Sequence, residues 1–252
     1  MMNNENAQTT HFGYEQVDIT QKTAKVNQVF DDVASRYDIM NDLMSCGMHR
    51  LWKRLAILLA RVRADMCILD LACGSADLGC LLAQKLQGHG QLILSDINNA
   101  MLQQGRDKMI NHGYLKPVDY IQANAEALPF ANNQFHIVTM GFGLRNVTDK
   151  QCALQQIYRV LKPGGSVLIL EFSKPLYPWL NKLYDAYSFH IIPRIGQWIT
   201  HNRDAYQYLV ESIRRHPDQA TLTQMMEQAG FADVTVHNIH GGIVAIHQAY
   251  KY

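Results

Sequence analysis

Two carboxylates and one carboxamide stand where apolar runs end: Asp70 in "MCILDLA", Asp96 in "QLILSDI" and Asn124 after "VDYIQA". Apolar runs this short, bounded by turns, read as buried strands. An open α/β sheet binds ligands beyond the carboxyl ends of its strands, so the three polar residues share one edge. The turn after the first run, "LDLACGSADLG", has glycine only at Gly74 and Gly79. A dinucleotide site would need GxGxxG there, to bring backbone N–H groups to a pyrophosphate at a helix N-terminus. Asp70 would repel that pyrophosphate and attract a cation. A nucleoside carrying a sulfonium amino acid, S-adenosylmethionine, meets these requirements. Asp96 is placed to accept from both ribose hydroxyls, or else to cap the helix beginning "NNAML". The Asn124 amide can donate to and accept from an adenine edge, or else it forms a turn.

The elements that position these residues alternate. "LGCLLAQKLQ", "NAMLQQGRDKMINH" and "CALQQIYRVL" read as helices, and "FHIVTMGF" and "GSVLILEF" join the strands already quoted. This predicts an α/β fold built on a doubly wound, mostly parallel sheet. "LKPGG" at 161–165 is a helix stop. The chain closes with the helix "LTQMMEQAG", the strand "ADVTVHNI", a turn at Gly241 and Gly242, and the strand "IVAIHQAY", an antiparallel hairpin that brings the strands to seven. Residues 1–64 read as a helical lid segment, with Val26, Val29, Phe30 and Val33 at helical spacing and a second helix over "HRLWKRLAILLARV". An insertion over residues 174–220 interrupts the alternation. It holds Tyr177, Trp179, Tyr184, Tyr187, Phe189, Trp198, Tyr206 and Tyr208, with Trp179, Leu183 and Tyr187 on one helical face. Such a face either packs on the sheet or walls an apolar substrate pocket.

Composition narrows the class. A chain of 252 residues with 48% hydrophobic and 18% charged residues can bury one good-sized core, which predicts a single domain. Lys plus Arg number 23 against 22 Asp plus Glu, and this balance argues against a nucleic-acid partner. No stretch has the apolar length of a signal peptide or a membrane span, which predicts a cytoplasmic protein. Five cysteines without CxxC spacing and eleven scattered histidines argue against a disulfide framework and against a metal site.

The stretches "YDIMNDLMSCGMHRLW" at 37–52, "NAEALPF" at 124–130, "FGLRNVTD" at 142–149, "YRVLKPGG" at 158–165 and "ESIRRHPDQATL" at 211–222 carry a resemblance. From His11 to Tyr252 the chain resembles the ubiquinone/menaquinone biosynthesis C-methyltransferases of the class I S-adenosylmethionine-dependent fold. The resemblance implies methyl transfer to a ring carbon of a polyprenylated quinol, either a methoxy-benzoquinol or demethylmenaquinol. It implies cofactor contacts at Asp70, Gly74, Ser75, Asp96, Asn124, Ala125 and Gly141, where a serine is common in relatives. A substrate that lives in lipid implies peripheral membrane contact at the inner face of the membrane, and the family admits a homo-oligomer or a biosynthetic complex. Relatives tend to read A-G-G-T-G-D where this chain reads Ala72-Cys73-Gly74-Ser75-Ala76-Asp77. An alanine at 76 is costly only if its φ is positive or the backbone there must touch the cofactor.

The transfer itself needs alignment more than any other aid, but a quinol carbon attacks well only when the neighbouring hydroxyl has lost its proton. Arg145 offers a fixed positive charge for that phenolate, and Asn146 can orient the hydroxyl. Tyr37 and His49 are the candidate bases. Two rival readings remain: a small-molecule O-methyltransferase, and a noncatalytic quinone-lipid-binding or assembly protein whose cofactor loop has drifted at Cys73 and Ala76.

Overall fold

The computed structural model describes residues 9–33, 37–45, 47–115, 117–181 and 203–252. The chain opens on a two-stranded antiparallel hairpin, β1 (Thr9–Phe12) and β2 (Glu15–Asp18), followed by helices α1 (Ile19–Val33), α2 (Tyr37–Ser45) and α3 (His49–Leu59). The hairpin corrects the all-helical reading of residues 1–64. Its strands are four residues each and mostly polar, with Val17 alone fully buried, too short and too wet to show a periodicity.

Beyond it the predicted alternation holds: β3 (Cys67–Leu71), α4 (Asp77–Leu86), β4 (Gln91–Asp96), α5 (Asn99–Asn111), β5 (Val118–Gln122), β6 (Phe135–Gly141), α6 (Lys150–Val160) and β7 (Leu161–Phe172). Then come α7 (Arg203–Arg215), α8 (Gln219–Gln228), β8 (Ala232–Ile239) and β9 (Val244–Tyr250). The seven-stranded sheet runs β5-β4-β3-β6-β7-β9-β8. Its first five strands pair in parallel, and β9 joins β7 and β8 antiparallel.

Central strands are apolar on both faces because helices cover both. Leu69, Val138, Val167 and Ile169 belong to the cluster that α6 and α8 close with Leu154, Ile157, Leu222 and Met226. Ile68, Ile137, Leu168 and Ile246 belong to the other, closed by α3 and α4 through Trp52, Ala56, Leu78 and Leu82. Of the aromatic insertion, Tyr184, Tyr187, Phe189 and Trp198 lie outside the described residues. Tyr177 and Trp179 are exposed, and Tyr208 is buried.

Candidate functional site

Strand order reverses between β3 and β6: the chain winds outward through β4 and β5 on one side and through β7 on the other. Loops diverge at such a point and leave a crevice. Here they leave two. A cleft of about 760 Å³ is lined by Asp96, Asn98, Asn124, Ala125 and Asn146, with Thr23, Val26, Asn27 and Phe30 of α1 as a wall. A second cavity of about 340 Å³ is lined by Lys53, Asp70, Cys73, Ser75, Asp77 and Leu78. Ala72, Gly74, Gly141 and Phe142 line both, so the cavities meet between the loop after β3 and the end of β6.

Asp70 is fully buried. The Thr139 hydroxyl donates to its Oδ1 at 2.7 Å, while Oδ2 has no partner. Burial pushes its carboxyl up to about 7, against the Thr139 hydrogen bond and the nearby Lys53. An unpartnered carboxylate oxygen walling a cavity is where a cationic group belongs. This is the fit that the amino-acid end of S-adenosylmethionine requires.

Asp96 accepts from the N–H groups of Gly74 at 2.8 Å and Asn98 at 2.9 Å, one on each oxygen. A carboxylate has about four acceptor sites, so each oxygen keeps a lone pair for a ribose hydroxyl. The helix cap is supplied by Asn98, whose Oδ1 accepts from Met101 N–H at 2.8 Å. Asp96 is therefore not the cap of α5. Asn124 Oδ1 accepts from Glu126 N–H at 3.0 Å, which turns the amide's NH2 end toward use by a ligand. Ala125 lies beside it in the cleft.

The loop between them is left-handed at every second residue: φ is 54° at Ala72, 54° at Gly74 and 62° at Ala76. Cys73 is not among the residues with positive φ, so cysteine there is unstrained. Ala76 is strained, at a cost of about 1–2 kcal/mol. Its methyl lines neither cavity. It is buried toward α4 and α5, where a Cβ at Gly79 or Gly105 would lie 3.3 or 3.1 Å from it. Gly141 leaves the junction of the cavities open, since a Cβ there would come within 2.6 Å of Leu78 Cδ1.

The four proposed catalytic residues separate. Asn146 lines the cleft, and the Tyr208 hydroxyl donates to its Oδ1 at 3.0 Å. Arg145 does not line it. Its guanidinium is buried, donates from Nη1 to Glu171 Oε1 at 2.7 Å and lies over the rings of Phe142 and Phe172. The charge expected to face the substrate is thus matched inside the protein, by a carboxylate 26 residues further on. His49 is buried in a charged cluster, its Nε2 2.8 Å from Asp42 Oδ1, and lines neither cavity. Burial and then Lys53 lower its pKa against the pull of Asp42. The side chain of Tyr37 lies outside the described residues.

The sequence profile of the ubiE/COQ5 methyltransferases matches residues 18–251. The chain belongs to that family. A ubiquinone/menaquinone biosynthesis C-methyltransferase UbiE of Legionella pneumophila is 57% identical over 97% of this chain and 98% of its own length. A protein of the same name from Edwardsiella ictaluri is 55% identical over the same shares. Among solved structures, a SAM-dependent methyltransferase from Thermotoga maritima superposes with a TM-score of 0.64 at 16% identity, over 89% of this chain and 99% of that one. One from Aquifex aeolicus gives 0.61 at 16%, over 85% and 98%. These distant likenesses bear on the fold alone, and they bear out the class I methyltransferase architecture.

This ubiE/COQ5 methyltransferase also uses residues that sequence reasoning missed. Lys22 of α1, buried, and Lys150 of α6 both donate to Val147 O, at 3.2 and 3.0 Å, and pin α1 to the cleft wall. Asn98 Nδ2 donates to Asp31 Oδ1 at 2.7 Å, pinning α1 to α5. A lysine on a helix otherwise rich in polar residues gave no signal of burial. Among the described residues, no cluster of His, Cys, Asp or Glu is arranged to hold a metal ion.

Proposed function

We propose that the chain transfers the methyl group of S-adenosylmethionine to a ring carbon of a polyprenylated quinol, a methoxy-polyprenyl-benzoquinol or demethylmenaquinol. The observation that carries this reading is the pair of cavities meeting at Gly141, with an unpartnered buried carboxylate oxygen of Asp70 in one and Asp96 and Asn124 in the other. Family membership and the name of the Legionella relative support the acceptor.

Asp96 and Asn124 hold the nucleoside, with Ala125 against the base. Asp70 draws the cationic amino-acid end into the smaller cavity, and Ser75 shapes the loop between them. When bound, S-adenosylmethionine supplies an electrophilic methyl group, displaced in line from sulfur. Gly141 leaves the approach clear, where alignment is worth ~7–11 kcal/mol. Asn146, its carbonyl held by Tyr208, turns its NH2 end to the quinol hydroxyl and orients it. Arg145 acts at one remove, by holding the 144–146 turn through Glu171. Of the two bases that the sequence offers, Tyr37 is retained, because His49 is committed to Asp42. The quinol's prenyl tail leaves along apolar surface of the 174–220 insertion, where Leu176, Tyr177 and Trp179 are exposed, and peripheral membrane contact follows from the lipid-borne substrate.

The test is direct. Purified protein is given S-adenosylmethionine labelled in its methyl group and a short-chain quinol of each class, and the position of the label is read by NMR. Label on a ring carbon is the expected result; label on oxygen identifies an O-methyltransferase, and no transfer to either quinol overturns the acceptor.

A further inference from the structure

Around the loop after β3, four helices are joined by charge. Lys108, on the third turn of α5, donates to Asp38 Oδ2 of α2 at 2.5 Å, to Asp77 Oδ1 of α4 at 2.7 Å and to the Ser75 hydroxyl at 3.3 Å. The Ser75 hydroxyl in turn donates to Asp38 Oδ1 at 2.7 Å. Lys53 of α3 takes the other oxygen of Asp77 at 2.6 Å. We propose that Lys108 is a positioning residue for methyl transfer, coupling closure of the lid helix α2 to the shape of the cofactor loop through Asp38 and Ser75. The inference rests on the reading of this site as a methyltransferase and deepens it.

Three features support the coupling. An ammonium has three N–H donors, and here each has a different acceptor on a different element. The contacts close a ring of lysine, serine and aspartate, so a shift of α2 drags on Ser75, the residue between left-handed Gly74 and left-handed Ala76. Among the described residues, the α2 side chains reach α5 and the loop after β3 through Asp38, whereas Asp42 and Ser45 bond to α3. The ring is also open to salt: the side chains of Lys108 and Asp38 are 21% and 45% exposed. Added salt should therefore weaken it.

The experiment uses the full chain and reads hydrogen exchange by mass spectrometry, with calorimetric titration of S-adenosylmethionine beside it. In Lys108→Met, residues 37–45 exchange roughly five- to fiftyfold faster, the range of an ordinary coupling between sites, while β3 through β7 exchange as before. Affinity for the cofactor falls over the same range. High salt reproduces both changes in the parent and adds little in the variant. Asp38→Asn, on the more exposed partner, gives the same pattern should Lys108→Met lose its fold, and the double variant is no worse than the worse single one. Unchanged exchange in α2 with unchanged affinity overturns the proposal, as does full additivity in the double variant. A parent that binds no S-adenosylmethionine sinks the methyltransferase reading instead, and the exchange of α2 then still judges the latch.

Discussion

Cofactor binding should release a proton near neutral pH, and the proton should come from Asp70. With its carboxyl pushed up to about 7 by burial, Asp70 is about one-tenth ionised at pH 6 and about nine-tenths ionised at pH 8. Only the ionised form attracts the ammonium of the amino-acid end. Apparent affinity for S-adenosylmethionine should therefore rise about tenfold between these values, or ~1.4 kcal/mol. The sign for the ligand-free protein is the reverse. A carboxyl whose folded value is raised is more readily ionised in the unfolded chain, so the folded protein loses stability as pH rises from about 4 to about 7. The loss is on the order of 4 kcal/mol, and the cofactor restores part of it. Titration calorimetry in buffers of different ionisation enthalpy reads the proton directly. Asp70→Asn keeps the shape, binds more weakly and loses the pH dependence. Affinity that is level from pH 6 to 8 with no proton released would mean that Asp70 does not meet the cation. Burial lowers the pKa of His49 and, further, that of His216, and neither histidine lines the smaller cavity.

Three further substitutions follow from the geometry. Ala76→Gly relieves about 1–2 kcal/mol of left-handed strain but gives up a buried methyl worth about 0.8 kcal/mol and loosens the unfolded chain by about 0.4–1 kcal/mol. Urea unfolding should show a net change within about 1 kcal/mol, and cofactor affinity should stay within about twofold because the methyl lines neither cavity. Arg145→Ala leaves Glu171 buried beside a missing cation, so unfolding should show a loss of about 3 kcal/mol, with part recovered in Arg145→Ala combined with Glu171→Gln. His49→Gln should leave the pH profile of kcat where it was, since the imidazole is spent on Asp42 and lines neither cavity; a displaced acid limb would return His49 to the chemistry.

How far the chain could be read depended on the distance over which a residue's partner lies. The strands β3, β4, β6 and β7 were legible because a strand buried on both faces must be apolar, which no neighbour can disguise; β5 at the sheet edge has no fully buried residue, and its reading as a buried strand is corrected. The placement of Asp70, Asp96 and Asn124 at one sheet edge was legible because each stands where a strand ends. The pairing of Arg145 with Glu171 was not legible, because nothing local marks it. The surroundings of His49 were hidden for the same reason: Asp42 and Lys53 are near in sequence, but whether a histidine faces a cleft or a helix depends on how α2 and α3 fold back. The donor loop was half legible. Glycine-for-alanine logic identified position 76 as the one to examine, while the direction of its methyl, away from both cavities and toward Gly79 and Gly105, is a property of packing.

Under the proposed function, neither end of the cofactor site would sense whether the methyl group has gone. Asp96 would hold a sugar that is the same before and after transfer, and its Oδ2 also braces Gly74. Asp70 would hold the ammonium of the amino-acid end, which keeps its charge when the sulfonium becomes a neutral thioether. The part of the cofactor that changes would lie between them, where Gly74, Gly141 and Phe142 line both cavities, so discrimination between fresh and spent cofactor would fall to that junction.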